Sequence, residues 1–299
     1  MKIFNKNHLV IDCSSLVYAA FFAFGPVLTY NNKPTGVIYG FLKKVLQLGK
    51  KFRTRHILFC WDHPTNFRKE VYPIYKFNRR TDLTPTEEEE YKLKFKQENE
   101  LKDSTLHHMG FMNHFQQRGY ESDDFMAVIA ERLKTKKVLM VTADNDMWQC
   151  LDHCDIINPT TFKRMTAEKF ISIYKVLPSQ WPICKSIGGC SGDNVIGIKG
   201  CGDPKDMKKG PRSRTMQYVR GEISTGVIYD RITSDEGQKI IKKNLPIVTL
   251  PYMPEKMKDP FIRRDKCTRK KFIQVFDKYH FKSFLEKETF DQWERVFLR

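Results

Sequence analysis

A chain of 299 residues with 40% hydrophobic content can bury a sizeable core, which excludes disorder as its default state and fits one large domain or two modest ones. Lys and Arg outnumber Asp and Glu by 52 to 35, and a surplus of +17 points to a polyanionic partner, nucleic acid first, because neutralised phosphates release counterions. Charge alone leaves ribosome association or a membrane surface open, but no apolar run matches a membrane span or a secretory signal, so a cytoplasmic protein is expected.

The chain opens with an apolar run, His8–Cys13, that carries Asp12 near its end and leads into a helical pattern through Leu16, Val17, Ala20 and Phe21. A turn-rich stretch follows, then Val37, Phe41, Leu42, Val45 and Leu48 at helical spacing, then a second strand, His56–Trp61, that runs into Asp62. A third strand is expected over Phe111–Gln116, a helix over Ser122–Lys134, and a strand over Lys137–Ala143 that finishes at Asp144. Ile156 and Ile157 add a short one, and a helix follows around Thr166–Leu177. This alternation predicts an α/β fold with a doubly wound, mainly parallel sheet.

Between Asp62 and Gly110 lies an excursion too polar for a core, with Arg68, Lys69, Tyr72, Tyr75, Lys76, Arg79 and Arg80 before an acidic run. It reads either as a solvated helical hairpin or as an arch beside an active site. From Gly188 to Gly210 the composition turns glycine-rich and a basic, helical region begins; domains are expected at 1–180 and 181–299, with the arch at about 66–108. Cys150, His153 and Cys154 have a zinc-like look without a second ligand pair, so core thiols are expected there, and the eight scattered cysteines fit free thiols in a reducing compartment.

Asp12, Asp62 and Asp144 follow three strands that would emerge along one carboxyl edge. Glu121, Asp123 and Asp124 open a helix, and Asp146 lies just beyond Asp144. Each alone is an ordinary helix cap; together they form a cluster that repels itself unless cations sit within it. Hard oxygen donors favour Mg²⁺ or Mn²⁺, and two such ions would polarise a phosphodiester and activate water. Gly197, Gly200 and Gly202, with Lys199 and Lys205 beside them, suit a loop that grips a nucleic-acid backbone, although a plain interhelical turn has the same composition.

Taken together, these motifs resemble the 5′-nuclease family: the nuclease domain of bacterial DNA polymerase I, bacteriophage flap endonucleases and their cellular relatives. The resemblance runs from about His8 to Gly202 and rests on Val10–Ser15, Pro34–Gly40, Phe67-Arg68 with Tyr75–Arg80, and the glycine segment. It implies a PIN-like fold with a helical arch and a helix-three-turn-helix element at Gly197–Gly202. It also implies metal-site roles for Asp12, Asp62, Glu121, Asp123, Asp124, Asp144, Asp146 and Asp193. Lys76 and Arg79 would contact the scissile phosphate, Tyr75 would stack on an unpaired base, and Arg68 and Arg80 would bind DNA. The implied activity is 5′→3′ exonuclease and flap cleavage at a 5′ end or single-strand/duplex junction, RNA-primed DNA included, by a standalone monomeric enzyme. A noncatalytic junction binder and a PIN-like ribonuclease are the competing readings. One departure stands out: Cys190 falls where the family carries a carboxylate, and since a thiol is a poor Mg²⁺ ligand the second ion site is expected to be weakened and to prefer Mn²⁺.

Overall fold

The computed structural model describes residues 7–25, 28–31, 33–78, 83–133, 138–205 and 209–298. Its centre is a six-stranded sheet built from β1 (His8–Asp12), β2 (His56–Cys60), β3 (His114–Phe115), β4 (Val138–Val141), β5 (Asp155–Ile157) and β6 (Arg164–Met165). The strand order is β3-β2-β1-β4-β5-β6. The first five run parallel and β6 returns antiparallel, so the mainly parallel sheet holds.

Alternation along the strands divides two cores. Leu9 and Ile11 of β1, Ile57 and Phe59 of β2, and Leu139 and Val141 of β4 enter one core. Val10, Leu58, Cys60, Val138 and Met140 enter the other. A strand buried on both faces reads as a continuous apolar run, which is why the sequence announces these three strands so clearly. The expected third strand shrinks to His114–Phe115, an edge strand that pairs only with Phe59 and Cys60.

The first core is covered by α1 (Cys13–Phe24) and α2 (Gly36–Phe52), whose buried Val37, Phe41, Leu42, Val45 and Leu48 repeat every three or four residues. The polar excursion contributes α3 (Phe67–Val71) and α4 (Pro85–Glu100), the latter started by a Thr84–Glu87 capping box with Pro85 at its first turn. Along α4 only Lys94 and Gln97 are buried, as its composition demands. Gln97 Oε1 nevertheless accepts from the backbone N–H of Val37 at 3.0 Å and of Ile38 at 3.4 Å, so α4 satisfies donors that the first turn of α2 leaves open.

The second core is covered by α5 (Ser122–Leu133), α6 (Ala167–Tyr174) and α7 (Trp181–Gly188). Beyond the glycine segment come α8 (Asp235–Val248), α9 (Arg269–Lys278) and α10 (Lys287–Phe297). Phe272, Phe276, Trp293 and Phe297 join the first core of the sheet. α9 and α10 thus pack with α1 and α2 on the first core. No helix among the described residues is long and apolar enough to cross a membrane.

Candidate metal centre

Parallel register brings the three strand-end aspartates to one edge. β1 ends on Asp12 opposite Cys60, Asp62 follows two residues later, and Asp144 stands three residues beyond Val141. Each also accepts from a backbone N–H. Asp12 Oδ1 accepts from Ser15 N at 3.0 Å, Asp62 Oδ1 from Ser122 N at 2.8 Å, and Asp144 Oδ1 from Asp146 N at 2.8 Å. The capping function that would explain Asp12 and Asp144 singly is thus real, whereas Asp62 binds the first residue of a helix sixty residues on, and these bonds aim all three. Hydroxyls steady the outer oxygens: Thr142 Oγ1 donates to Asp12 Oδ2 at 2.9 Å and Ser14 Oγ to Asp62 Oδ2 at 2.6 Å.

The cost of gathering these charges is visible in their acidities. Burial, then the charge of Asp62, pushes the Asp12 carboxyl up to about 6. Burial, then Asp146, pushes Asp144 up to about 7, and burial with Asp144 and Asp12 raises Asp123. Asp123 Oδ1 is buried and has no hydrogen-bond partner among the described residues. An orphaned carboxylate oxygen amid like charges and hard oxygen donors is the fit expected for a divalent cation such as Mg²⁺ or Mn²⁺.

At the base of the arch the expectations need revision. Arg68 is 1% exposed, and its guanidinium makes a two-pronged pair with Asp124, Nη1 to Oδ2 at 2.8 Å and Nη2 to Oδ1 at 2.7 Å. Its Nε donates to the Ile247 carbonyl at 3.0 Å and its plane lies over Tyr252. Arg68 is therefore a buried strut and not a DNA contact. Asp124 also accepts from Tyr252 N and Glu121 N, so both of its oxygens are engaged by Arg68 and backbone, an arrangement that does not suit the ligand role the resemblance implies. Tyr75 is 4% exposed and donates its hydroxyl to Glu121 Oε2 at 2.8 Å, which leaves its ring no face for a base.

Lys76, in a left-handed backbone conformation at φ 55°, reaches the pocket instead. Its ammonium donates to Glu121 Oε1 and lies 3.9 Å from Asp193 Oδ1. Burial alone would raise Glu121, but Lys76 and Arg68, with hydrogen bonds from Lys76 and Tyr75, outweigh it and hold the carboxyl at about 2. Glu121 is thus placed as the acceptor for Lys76 and Tyr75. Arg79 and Arg80 lie outside the described residues. A cleft of about 400 Å³ opens between Asp62 and α4, with Ser14, Lys69, Lys94 and Lys102 on its walls beside Lys76.

The other end of the pocket is built from loops. Asp146, Cys190 and Asp193 place their ligand atoms within 4.8 Å of one another. Cys190 Sγ donates to Asp146 Oδ2 at 3.6 Å, and burial, then Asp146, pushes the thiol up to about 12. Two residues escaped the sequence reading. Lys185, 1% exposed, sets its ammonium 3.0 Å from Asp146 Oδ1 and 3.4 Å from Asp203 Oδ1. Burial would lower it, but Asp146 foremost keeps it well above the usual lysine range. A lysine inside the apolar run of α7 was the one signal available.

The glycine segment divides by role. A side chain on Gly197 would strike the Gly188 backbone at 2.3 Å, so that glycine serves a close crossing of two chains. Lys199, Gly200 and Gly202 are exposed, and the two glycines hold φ of 88° and 82°. Lys205 is half-buried, with its ammonium 3.7 Å from Asp203 Oδ2.

A cluster of carboxylates lies along the carboxyl edge of a mainly parallel sheet, beside a cleft walled by lysines. The family described as 5′-3′ exonuclease, N-terminal resolvase-like domain matches residues 7–175, and the chain belongs to it. A 5′-3′ exonuclease of Aquifex aeolicus is 31% identical over 201 residues, which are 66% of each chain. A thermostable DNA polymerase I of Thermus thermophilus is 29% identical over 204 residues, 67% of this chain and 23% of the polymerase. The chain thus spans just under two thirds of the first relative and about a quarter of the second. Among solved structures, T5 5′-exonuclease with divalent metal ions (zinc) bound has the same fold, with a TM-score of 0.65 at 22% identity over 82% of this chain and 90% of that one.

Proposed function

We propose that this protein is a structure-specific 5′-nuclease that hydrolyses DNA phosphodiesters at a 5′ end, flap or single-strand/duplex junction with divalent cations. One observation carries the reading: Asp12, Asp62, Asp123 and Asp144, from four separate stretches of chain, converge at one sheet edge with a buried carboxylate oxygen left without a partner. The cations would polarise the phosphate and supply a nucleophilic water at neutral pH. Asp12, Asp62, Asp123 and Asp144 would hold one, and Asp146, Asp193 and Cys190 would face a second that binds Mg²⁺ weakly.

The chain's own groups do the positioning. Lys76 is poised to leave Glu121 for an arriving phosphate, offering charge where charge accumulates in the transition state. Lys69, Lys76 and Lys102 of the cleft under α4 suit a single-stranded 5′ end, and the exposed backbone of Gly200 and Gly202 with Lys199 suits duplex phosphates. Similarity to a 5′-3′ exonuclease of Aquifex aeolicus supports the same direction of attack.

Product mapping on an end-labelled 5′-flap DNA, with Mg²⁺, with Mn²⁺ and with chelator, tests the proposal. Short 5′ products that require the ion are expected. Tight binding with no cleavage under either ion would favour the junction-binding reading that Cys190 motivates, and faster cutting of an RNA strand would favour a ribonuclease.

A further inference from the structure

We infer that Asp146, Cys190 and Asp193 form a mixed thiolate–carboxylate site that selects a thiophilic divalent cation, of the Co²⁺, Zn²⁺ or Cd²⁺ kind, over Mg²⁺. The inference rests on the nuclease reading for the cation's purpose, but its argument comes from the donors. Their ligand atoms lie within 4.8 Å of one another. Cys190 Sγ and Asp146 Oδ2 stand 3.6 Å apart, about the spacing of two ligands that share one tetrahedral ion at roughly 2.0–2.3 Å. A cysteine in such a set turns preference towards softer metals, whereas Mg²⁺ demands oxygen.

The sulfur is held there by backbone. Cys190 N donates to Val195 O at 2.9 Å and Val195 N returns a bond to Cys190 O at 3.0 Å, while Asp193 N donates to Cys190 O at 3.1 Å. This two-sided bridge fixes the thiol, 5% exposed, against Asp146. Asp193 is fixed in turn, because Lys76 N donates to its carbonyl at 2.9 Å.

Lys185 makes the exchange feasible. Its ammonium sits between Asp146 and Asp203, so Asp146 can turn to a cation while Asp203 keeps the lysine paired. Asp203 is itself steadied by Lys205 N at 3.0 Å. As the sulfur–metal bond forms, the thiol proton passes to solvent, so binding releases a proton and strengthens as pH rises.

The full chain, stripped of metal and titrated with Co²⁺ and separately with Cd²⁺, is expected to develop a sulfur-to-metal charge-transfer absorption. Cys190→Ser should abolish that band and weaken Cd²⁺ binding by at least about tenfold, while Cys190→Asp should lack the band and tighten Mg²⁺ by a similar factor. Should Cys190→Ser fail to fold, by far-UV circular dichroism, the wild type still decides: Cd²⁺ should slow alkylation of Cys190, read by peptide mass spectrometry. No band in the wild type, an undiminished band in a folded Cys190→Ser, or alkylation indifferent to Cd²⁺ would overturn the inference. Flap cleavage measured alongside separates the failures, since cutting without a band sinks the thiolate site alone, and a band without any cutting sinks the nuclease reading.

Discussion

The strand-end aspartates and the loop-borne donors around Asp146 occupy adjoining ends of one pocket, yet different forces hold them. Asp12, Asp62 and Asp144 are fixed by hydrogen bonds from backbone N–H groups and offer oxygen alone. Asp146, Cys190 and Asp193 depend on a loop bridge, include sulfur, and share their pocket with the buried ammonium of Lys185. A sheet edge fixes the geometry of its carboxylates with local structure, so it leaves little freedom for change; a loop-built half can exchange one donor for another.

The largest effect expected from breaking this contrast is at Asp12. Asn at that position keeps the capping oxygen and removes the charge, so Asp12→Asn should lower single-turnover cleavage of a 5′-flap about a thousandfold while thermal unfolding stays near wild type. Asp146→Asn should lower it about tenfold. Equal losses at the two positions would erase the distinction.

Next in size is the strut beneath both halves. Arg68→Ala leaves Asp124 charged at 0% exposure, and a cost of about 3–5 kcal/mol is expected in denaturant unfolding. Arg68→Lys should recover only part, because a lysine cannot make the forked pair. A loss below 1 kcal/mol, the scale of an exposed ion pair, would mean that solvent reaches this pair and that the strut is a surface feature.

The sheet's edge, behind the cleft wall at Trp61, sharpens the comparison through pH. Burial, then the neighbouring His107, lowers His114 from 6.5 to about 4, and its Nδ1 accepts from Trp61 Nε1 at 3.4 Å. The unfolded chain binds the proton more readily, so this contribution is complete above pH 6.5 and disappears as pH falls towards 4. His114→Gln should remove on the order of 1–2 kcal/mol of that dependence, read from urea midpoints at pH 7.5 and 4.5.

The smallest effect belongs to the glycine loop. Lys199→Ala should weaken duplex binding uniformly across sequences and reduce the slope of log K against log salt by about 1. Sequence-dependent loss would show that the loop reads bases and does not merely hold backbone.

What the sequence disclosed follows this same division. Central strands and their aspartates were legible because a doubly buried strand is apolar throughout and a cap follows it at fixed distance. Lys76 was found only through a resemblance, since its position depends on a left-handed turn that composition does not encode. Arg68 was misread because a basic residue within a charged run looks like a phosphate contact; its partners, Asp124 and the Ile247 carbonyl, are 56 and 179 residues away. Lys185 and Asp203 were missed for the same reason, their meaning lying in a meeting of separate loops.

The span between Arg68 and Ile247 also bears on how the fold comes into being. Closing a loop of that length is slow to be rewarded, and a chain emerging from its N-terminus has the Arg68–Asp124 pair long before it has the carbonyl and the Tyr252 amide that complete it. Synthesis therefore imposes a timing: the Arg68–Asp124 strut beside the carboxylate pocket reaches its finished form only after residues 247–252 have appeared.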